Sequence, residues 1–481
     1  MRRGFLLLML MLSAYSLSAD GFSDWLKKER ETFRGFRTDE DRQFREFLRK
    51  EWEEFEAFQA KELYSEPKFP EQPVVDAEEM PQEKRGFSAA AVYGSAYTEQ
   101  AEKGSNRFFD YSYRGLPSTV IEFFGMTLRF PASEEELPRM ERADNRGAAQ
   151  FWDEISAIDL EALFEAISSA RSDFALNDWG VARLCHAYAE AEMGPGRLES
   201  YGLTWFLLVK SGYDARIGYD GSSDGIYLLL PVDGTLYGAA YAQIEGRQYY
   251  FIDLGNDPRL PNRFYTYPER YPSAEMRMRF GFDRVPTLSR RDGVRELRFT
   301  YRGEEFALEL SYDAGVVEFF SDHPQTEFGL YLASGASTEF SETVKRAFRP
   351  LLRGKSRREA ANLLLRFVQT SLSYRTDQDQ FDREKWMLPE EAIHYPYSDC
   401  DDRSILYAWL VRELLELPVV GIQWPGHMAT AVAFEERVDG ANFTAAGRIW
   451  TVCDPTYMGA DIGMVMPLYG GQGFQVIPPA D

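Results

Sequence analysis

The chain is short of cysteine: Cys185, Cys400 and Cys453 are the only three in 481 residues. That count excludes a disulfide-built scaffold. Neither Cys-x-x-Cys nor His-Glu-x-x-His occurs, so the short paired spacings of common zinc sites are missing too. Positive charge is also scarce. With 77 acidic against 54 basic residues the net charge is -23, which repels nucleic acid and anionic lipid, and no nucleic-acid partner is expected. Beyond residue 19 no run is long and apolar enough for a membrane helix.

The first nineteen residues, MRRGFLLLMLMLSAYSLSA, combine Arg2 and Arg3, an apolar stretch from Phe5 to Leu12, and small residues ending at Ala19. That pattern reads as a secretory signal over 1–19, too short to span a bilayer. No cysteine follows the cleavage point, so a lipid anchor is not expected. The expectation is an exported protein, periplasmic or extracellular, with no membrane span after signal removal. An odd cysteine count in such a chain leaves one thiol free, or pairs it with another molecule.

Residues 20–62 read as an amphipathic helical arm. Phe22/Trp25, Phe33/Phe36, Phe44/Phe47 and Phe55/Phe58 recur every 11 residues, close to three helical turns, and so form one stripe. The stripe predicts a helix lying on its own protein or an arm for a protein partner. A Pro-rich linker follows over 63–86. Residues 87–285 mix helical and strand patterns, 286–338 are β-rich around an Arg-Gly turn, and 339–481 run helices, then a helix from Cys400 followed by strands over 418–423, 428–434 and 448–453. The expected fold class is α+β.

Within the last segment, Cys400 opens a helix in SDCDDRSILYAWLV, His427 lies in GHMATAVAF, and Asp454 lies in VCDPTY, at two equal intervals of 27 residues. A cysteine in a helical first turn gains from the free backbone N–H groups and the macrodipole, which favour a thiolate. Ser398 or Asp399 is the expected N-cap. Helix phase turns Asp401 and Asp402 away from the sulfur and lets Asp399 pair with Arg403. Histidine on a neighbouring strand can take the thiol proton, and an aspartate can fix its tautomer. Cys453 points the other way from Asp454 and is expected in the core.

These motifs resemble the transglutaminase-like superfamily of papain-type thiol enzymes over roughly residues 340–470. The resemblance implies a nucleophile helix packed on an antiparallel sheet, with Cys400 as nucleophile, His427 as base and Asp454 as orienting acid. It also implies a protein or peptide amide as substrate, and no cofactor or metal. The family's aromatic residue soon after the histidine is replaced here by Met428, Ala429 and Thr430. Tyr397 and Trp424 are candidates for the side-chain oxyanion donor.

LESYGLTWFLLVKSGYDARIGY (198–219) resembles the same helix and strand. Pairing Asp214 with Pro418 sets Gly196 opposite Cys400, Asp253 opposite Asp454, and Asp224 near the place of His427. Residues 140–260 are then either a degenerate copy or a chance likeness, and the adjoining Cys185 and His186 read as structural. Two other functions stay open. Cys400, His427 and Asp454 are permitted zinc ligands, and the chain is alternatively a non-catalytic exported binding or scaffold protein with a vestigial fold.

Overall fold

The computed structural model describes residues 39–59, 75, 103–104, 107–113, 115–221, 225–252, 254, 262–282, 285–288 and 291–480. The signal sequence, the Phe22/Trp25 and Phe33/Phe36 pairs, nearly all of the linker, and Asp224 and Asp253 lie outside those residues.

Side-chain caps start several of the helices. Asp144 and Asn177 accept first-turn N–H groups ahead of Asn145–Ala157 and Asp178–Met193, and Ser356 forms a reciprocal box with Glu359 ahead of Arg357–Ser371. The helical pattern over 151–173 is two helices, Asn145–Ala157 and Glu161–Asp173, interrupted at Ile158. The Arg-Gly turn is confirmed: Arg302 and Gly303 both take positive φ, 53° and 81°, and join Arg291–Tyr301 to Glu304–Asp313 with Tyr301 opposite Glu304. Positive φ at both central residues matches the twist of a two-residue hairpin. The 286–338 segment is not β throughout, because helices Ala314–Ser321 and Phe328–Ala333 follow the hairpin.

The expected α+β architecture is present, with two larger sheets whose strand pairs are antiparallel. One runs, in spatial order, Glu53–Glu56, Arg263–Thr266, Arg216–Tyr219, Ile226–Pro231, Arg247–Ile252, Tyr241–Ile244. The other runs Asn442–Ala445, Arg448–Cys453, His427–Val432, Val419–Trp424, Gln475–Ile477. Each contains the same sequence of connections. Helix Leu198–Lys210 leads into four strands whose spatial order is first, second, fourth, third, and helix Cys400–Leu415 leads into four strands in that same order. One continuous apolar cluster includes both helices, the hairpin and the inward faces of both sheets; a smaller cluster sits on the outer face of each sheet.

The arm departs from its expected form. A helix covers 39–48 and stops, and the chain then pairs along Arg263–Thr266 as strand Glu53–Glu56. The indole of Trp52 donates to Leu48 O at 2.6 Å, satisfying a carbonyl that the ended helix leaves open. A free sheet edge offers this acidic stretch a full ladder of backbone bonds, so the 11-residue stripe does not continue as helix. Its described part is docked on the body. Phe44 packs edge-on against Trp152, Tyr267 and Tyr271, and Asp41 pairs with Lys210 at 2.8 Å. Among the described residues no helix is long and apolar enough to cross a membrane.

Candidate functional site

Helix Cys400–Leu415 begins at Asp399, its N-cap, which accepts Asp401 N at 3.1 Å, while Asp402 Oδ2 accepts Asp399 N at 3.0 Å. Two of the three acidic side chains are thus engaged by backbone N–H groups of the turn, which is what the positive end of a helix favours. Asp402 also accepts Met387 N at 2.8 Å, tying the helix start to the chain ahead of Pro389–His394. Cys400 is the first helical residue.

Arg403 is fully buried, and desolvation pushes its guanidinium down to about 10. Its donors go to Ser398 Oγ (3.1 Å), Gln369 O (3.3 Å) and Leu372 O (2.5 Å). It thereby clamps the helix start to the end of helix Arg357–Ser371. One turn after Cys400, Ser404 Oγ donates to Cys400 O (2.7 Å) and to Met428 O (3.3 Å). The start of the helix is therefore seated at the start of strand His427–Val432.

On that strand, His427 Nε2 meets Asp454 Oδ2 at 2.9 Å, with both side chains buried. The register explains the meeting. Thr430 lies opposite Cys453, so Asp454, one residue on, shares a sheet face with Ala429 and with His427 diagonally across from it. Asp454 Oδ1 accepts Thr456 N (2.9 Å) and Tyr457 N (3.0 Å), and Gln369 Nε2 donates to Asp454 O at 3.0 Å. The carboxylate is thus held by His427 and two backbone N–H groups, with Gln369 fixing the backbone behind it, and Nδ1 is the imidazole nitrogen left to serve a proton acceptor's role. The His427 ring lies parallel to Tyr469 (centroids 5.1 Å apart, 11°) and to Trp424 (6.0 Å, 16°).

The thiol itself is placed differently from the helix-phase expectation. Cys400 Sγ donates to Asp401 Oδ1 at 3.5 Å, so Asp401 does not turn away from the sulfur. The reason lies outside the helix: the indole of Trp386 donates to Asp401 Oδ2 at 2.8 Å and holds the carboxylate back over the first turn. Arg403, expected to pair with Asp399, is attracted electrostatically to it and directs donors to Ser398 and the two carbonyls. The donor atoms of Cys400, His427 and Asp454 do not converge within 4.8 Å, the described clusters of that size being Asp399/Cys400/Asp401 and Asp377/Glu384/Asp399. One zinc ion could not be held by the triad as it stands.

Cys453 is in the core as expected, facing the helix, where it interacts with the Tyr407 hydroxyl. Burial pushes the Cys453 and Cys185 thiols up to about 12, and His186 is held by Thr204 Oγ1 at 3.0 Å. Of the oxyanion candidates, Tyr397 carries the Arg375 guanidinium over its ring at 3.7 Å. Trp424 sits beside His427, and its buried indole N–H makes no hydrogen bond among the described residues. In the upstream half the helix starts at Leu198, after Gly196. The strand position matching His427 is Ile226, paired with Tyr219 as His427 is with Trp424.

Sequence reasoning missed Asp401's orientation, Trp386, Gln369 and Tyr469. Gln369 alone had a signal: with Arg366 it is a polar residue at i,i+3 on the otherwise apolar face of LLLRFVQTS. No protein-family model matches the chain, and no curated protein matches it.

Proposed function

We propose that this is an exported transglutaminase-like thiol enzyme that acts on amide bonds of a protein or peptide through a Cys400 thioester. The observation that carries the reading is the 2.9 Å bond from His427 Nε2 to Asp454 Oδ2 at the end of the sheet where the Cys400 helix begins. In the proposed reaction Cys400 Sγ attacks the amide carbonyl carbon and its proton passes to His427 Nδ1. Asp454 stabilises the imidazolium that forms. The carbonyl oxygen becomes an oxyanion facing the Cys400 backbone N–H, with the unengaged Trp424 indole as second donor. The C–N bond then breaks, the imidazolium gives its proton to the leaving amine, and a thioester remains. Water attacking the thioester makes the protein a peptidase or amidase; an amine makes it a cross-linking acyltransferase. Hydrolysis is the outcome proposed.

The test is release of amine or ammonia from peptide amides by the purified protein and by Cys400→Ala. Removing the nucleophile should lower turnover by about 10⁴-fold or more. Undiminished turnover by the variant, or no turnover by either, sinks the enzyme reading. The second outcome would favour the binding or scaffold alternative, which the ordinary residues Leu198 and Ile226 in the upstream half already suit.

A further inference from the structure

We infer that Asp401 is a restraining residue that keeps the Cys400 thiol protonated in the resting protein. The inference rests on the reading of Cys400 as nucleophile and adds to it how that nucleophile is held before substrate arrives.

The geometry has two halves. Asp401 Oδ1 accepts from the sulfur at 3.5 Å, and Oδ2 accepts from Trp386 Nε1 at 2.8 Å. Trp386 cannot easily yield: its backbone N–H donates to Gln325 Oε1 at 2.8 Å, and its ring is wedged between Phe328 (4.9 Å) and Tyr331 (5.3 Å). Asp401 is fully buried, so water does not screen it. A carboxylate in this position accepts a proton-bearing sulfur and repels a thiolate.

The other charged groups around the sulfur are of both signs. On the same turn Asp399 and Asp402 bind backbone N–H groups, and Arg403, which donates to Ser398 and two carbonyls, also interacts electrostatically with Asp399, Asp402 and the Cys400 sulfur. Asp377 and Glu384 gather around Asp399, and Lys385 pairs with Glu391 at 2.7 Å. From the sheet come His427 and, behind it, Asp454. The helix dipole and Arg403 favour a thiolate, whereas the carboxylate that the sulfur itself bonds opposes it. The consequence suits an exported protein: a neutral buried thiol oxidises slowly, and the attacking form arises when His427 takes the proton.

The experiment is the pH profile of Cys400 alkylation by iodoacetamide in the intact protein and in Asp401→Asn. The asparagine oxygen can keep the Trp386 bond while its NH₂ faces the sulfur, so acceptor becomes donor. The midpoint should fall by about one pH unit or more. Near neutral pH each unit gives about tenfold more thiolate of about threefold lower intrinsic reactivity, for a net gain of about threefold. A purely structural role would move the melting temperature and leave the midpoint in place; an unmoved or raised midpoint overturns the inference. If the asparagine variant does not fold, the infrared S–H stretch of the intact protein minus that of Cys400→Ala decides, since Cys185 and Cys453 cancel. A residual band at neutral pH supports the inference, and its absence refutes it. Both measurements read the thiol whether or not the protein turns over any amide, so failure here is separate from failure of the enzyme reading.

Discussion

Replacing Asp454 by asparagine should separate catalysis from folding. Oδ1 accepts two backbone N–H groups, from Thr456 and Tyr457, and only an oxygen can do so. The asparagine amide must therefore leave its oxygen there and turn its NH₂ toward His427 Nε2. Two donors cannot face one another, so Nε2 loses its proton and Nδ1 gains it, which reverses the tautomer the reaction needs. The imidazolium also loses a charge-assisted bond worth about 1.5–3 kcal/mol. At about 1.4 kcal/mol per decade, that is a tenfold to hundredfold or greater loss in the His427-assisted reactivity of Cys400. The melting temperature should move by only a few degrees, because both backbone bonds persist. Asp454→Ala, in contrast, leaves both N–H groups buried and unsatisfied, at about 1–3 kcal/mol each. The assay is alkylation rate against pH, paired with thermal unfolding of the three proteins. An asparagine variant that alkylates like the wild type, or that melts as early as the alanine variant, would refute the reasoning.

Gln369→Leu removes the donors to Asp454 O and Ala460 O, both at 3.0 Å, and should cost about 2–5 kcal/mol in urea unfolding through two orphaned carbonyls. Glu390, buried and held by Asp313 N and Ser337 N, has its carboxyl pushed up to about 7 by desolvation. Its folded value lies above the unfolded one, so its contribution is complete below the unfolded pKa and is lost as pH rises through about 7. Glu390→Gln should flatten the fall in stability across that window, read as melting temperature against pH; parallel curves for the two proteins would count against it. Native-state labelling at neutral pH followed by mass spectrometry should leave Cys185 and Cys453 unmodified, because burial raises both thiols to about 12. All three cysteines should label in denaturant, and native labelling of either core thiol would show that its surroundings open.

Much of the C-terminal half was legible because its signals are local. Helix Cys400–Leu415 and strands Val419–Trp424, His427–Val432 and Arg448–Cys453 lie close to the expected bounds. Asn442–Ala445 and Gln475–Ile477 were missed, since each is a short edge strand defined by the partner it pairs with. At the site, strand parity predicted that Asp454 and Cys453 would face opposite ways. Helix phase failed for Asp401 because the residue that turns its carboxylate, Trp386, lies 15 positions upstream and carries no periodic mark. The arm failed at residue 49 for a related reason: an 11-residue spacing reports what a helix would bury, and cannot report that a distant strand edge offers a competing ladder of hydrogen bonds.

The hairpin ahead of the last helices bears on how the chain could be divided. Arg295 Nη1 donates to Ile393 O at 2.8 Å and Tyr395 O at 2.6 Å, and Asp313 N donates to Glu390 Oε2 at 3.0 Å. A fragment starting at Thr338 would contain every residue of the candidate triad, yet would lose the partners of one buried and one half-buried carbonyl and of a buried carboxyl just ahead of the nucleophile. The smallest transferable piece of this protein therefore begins no later than Arg291, and grafting or expressing the triad half alone means carrying the hairpin with it.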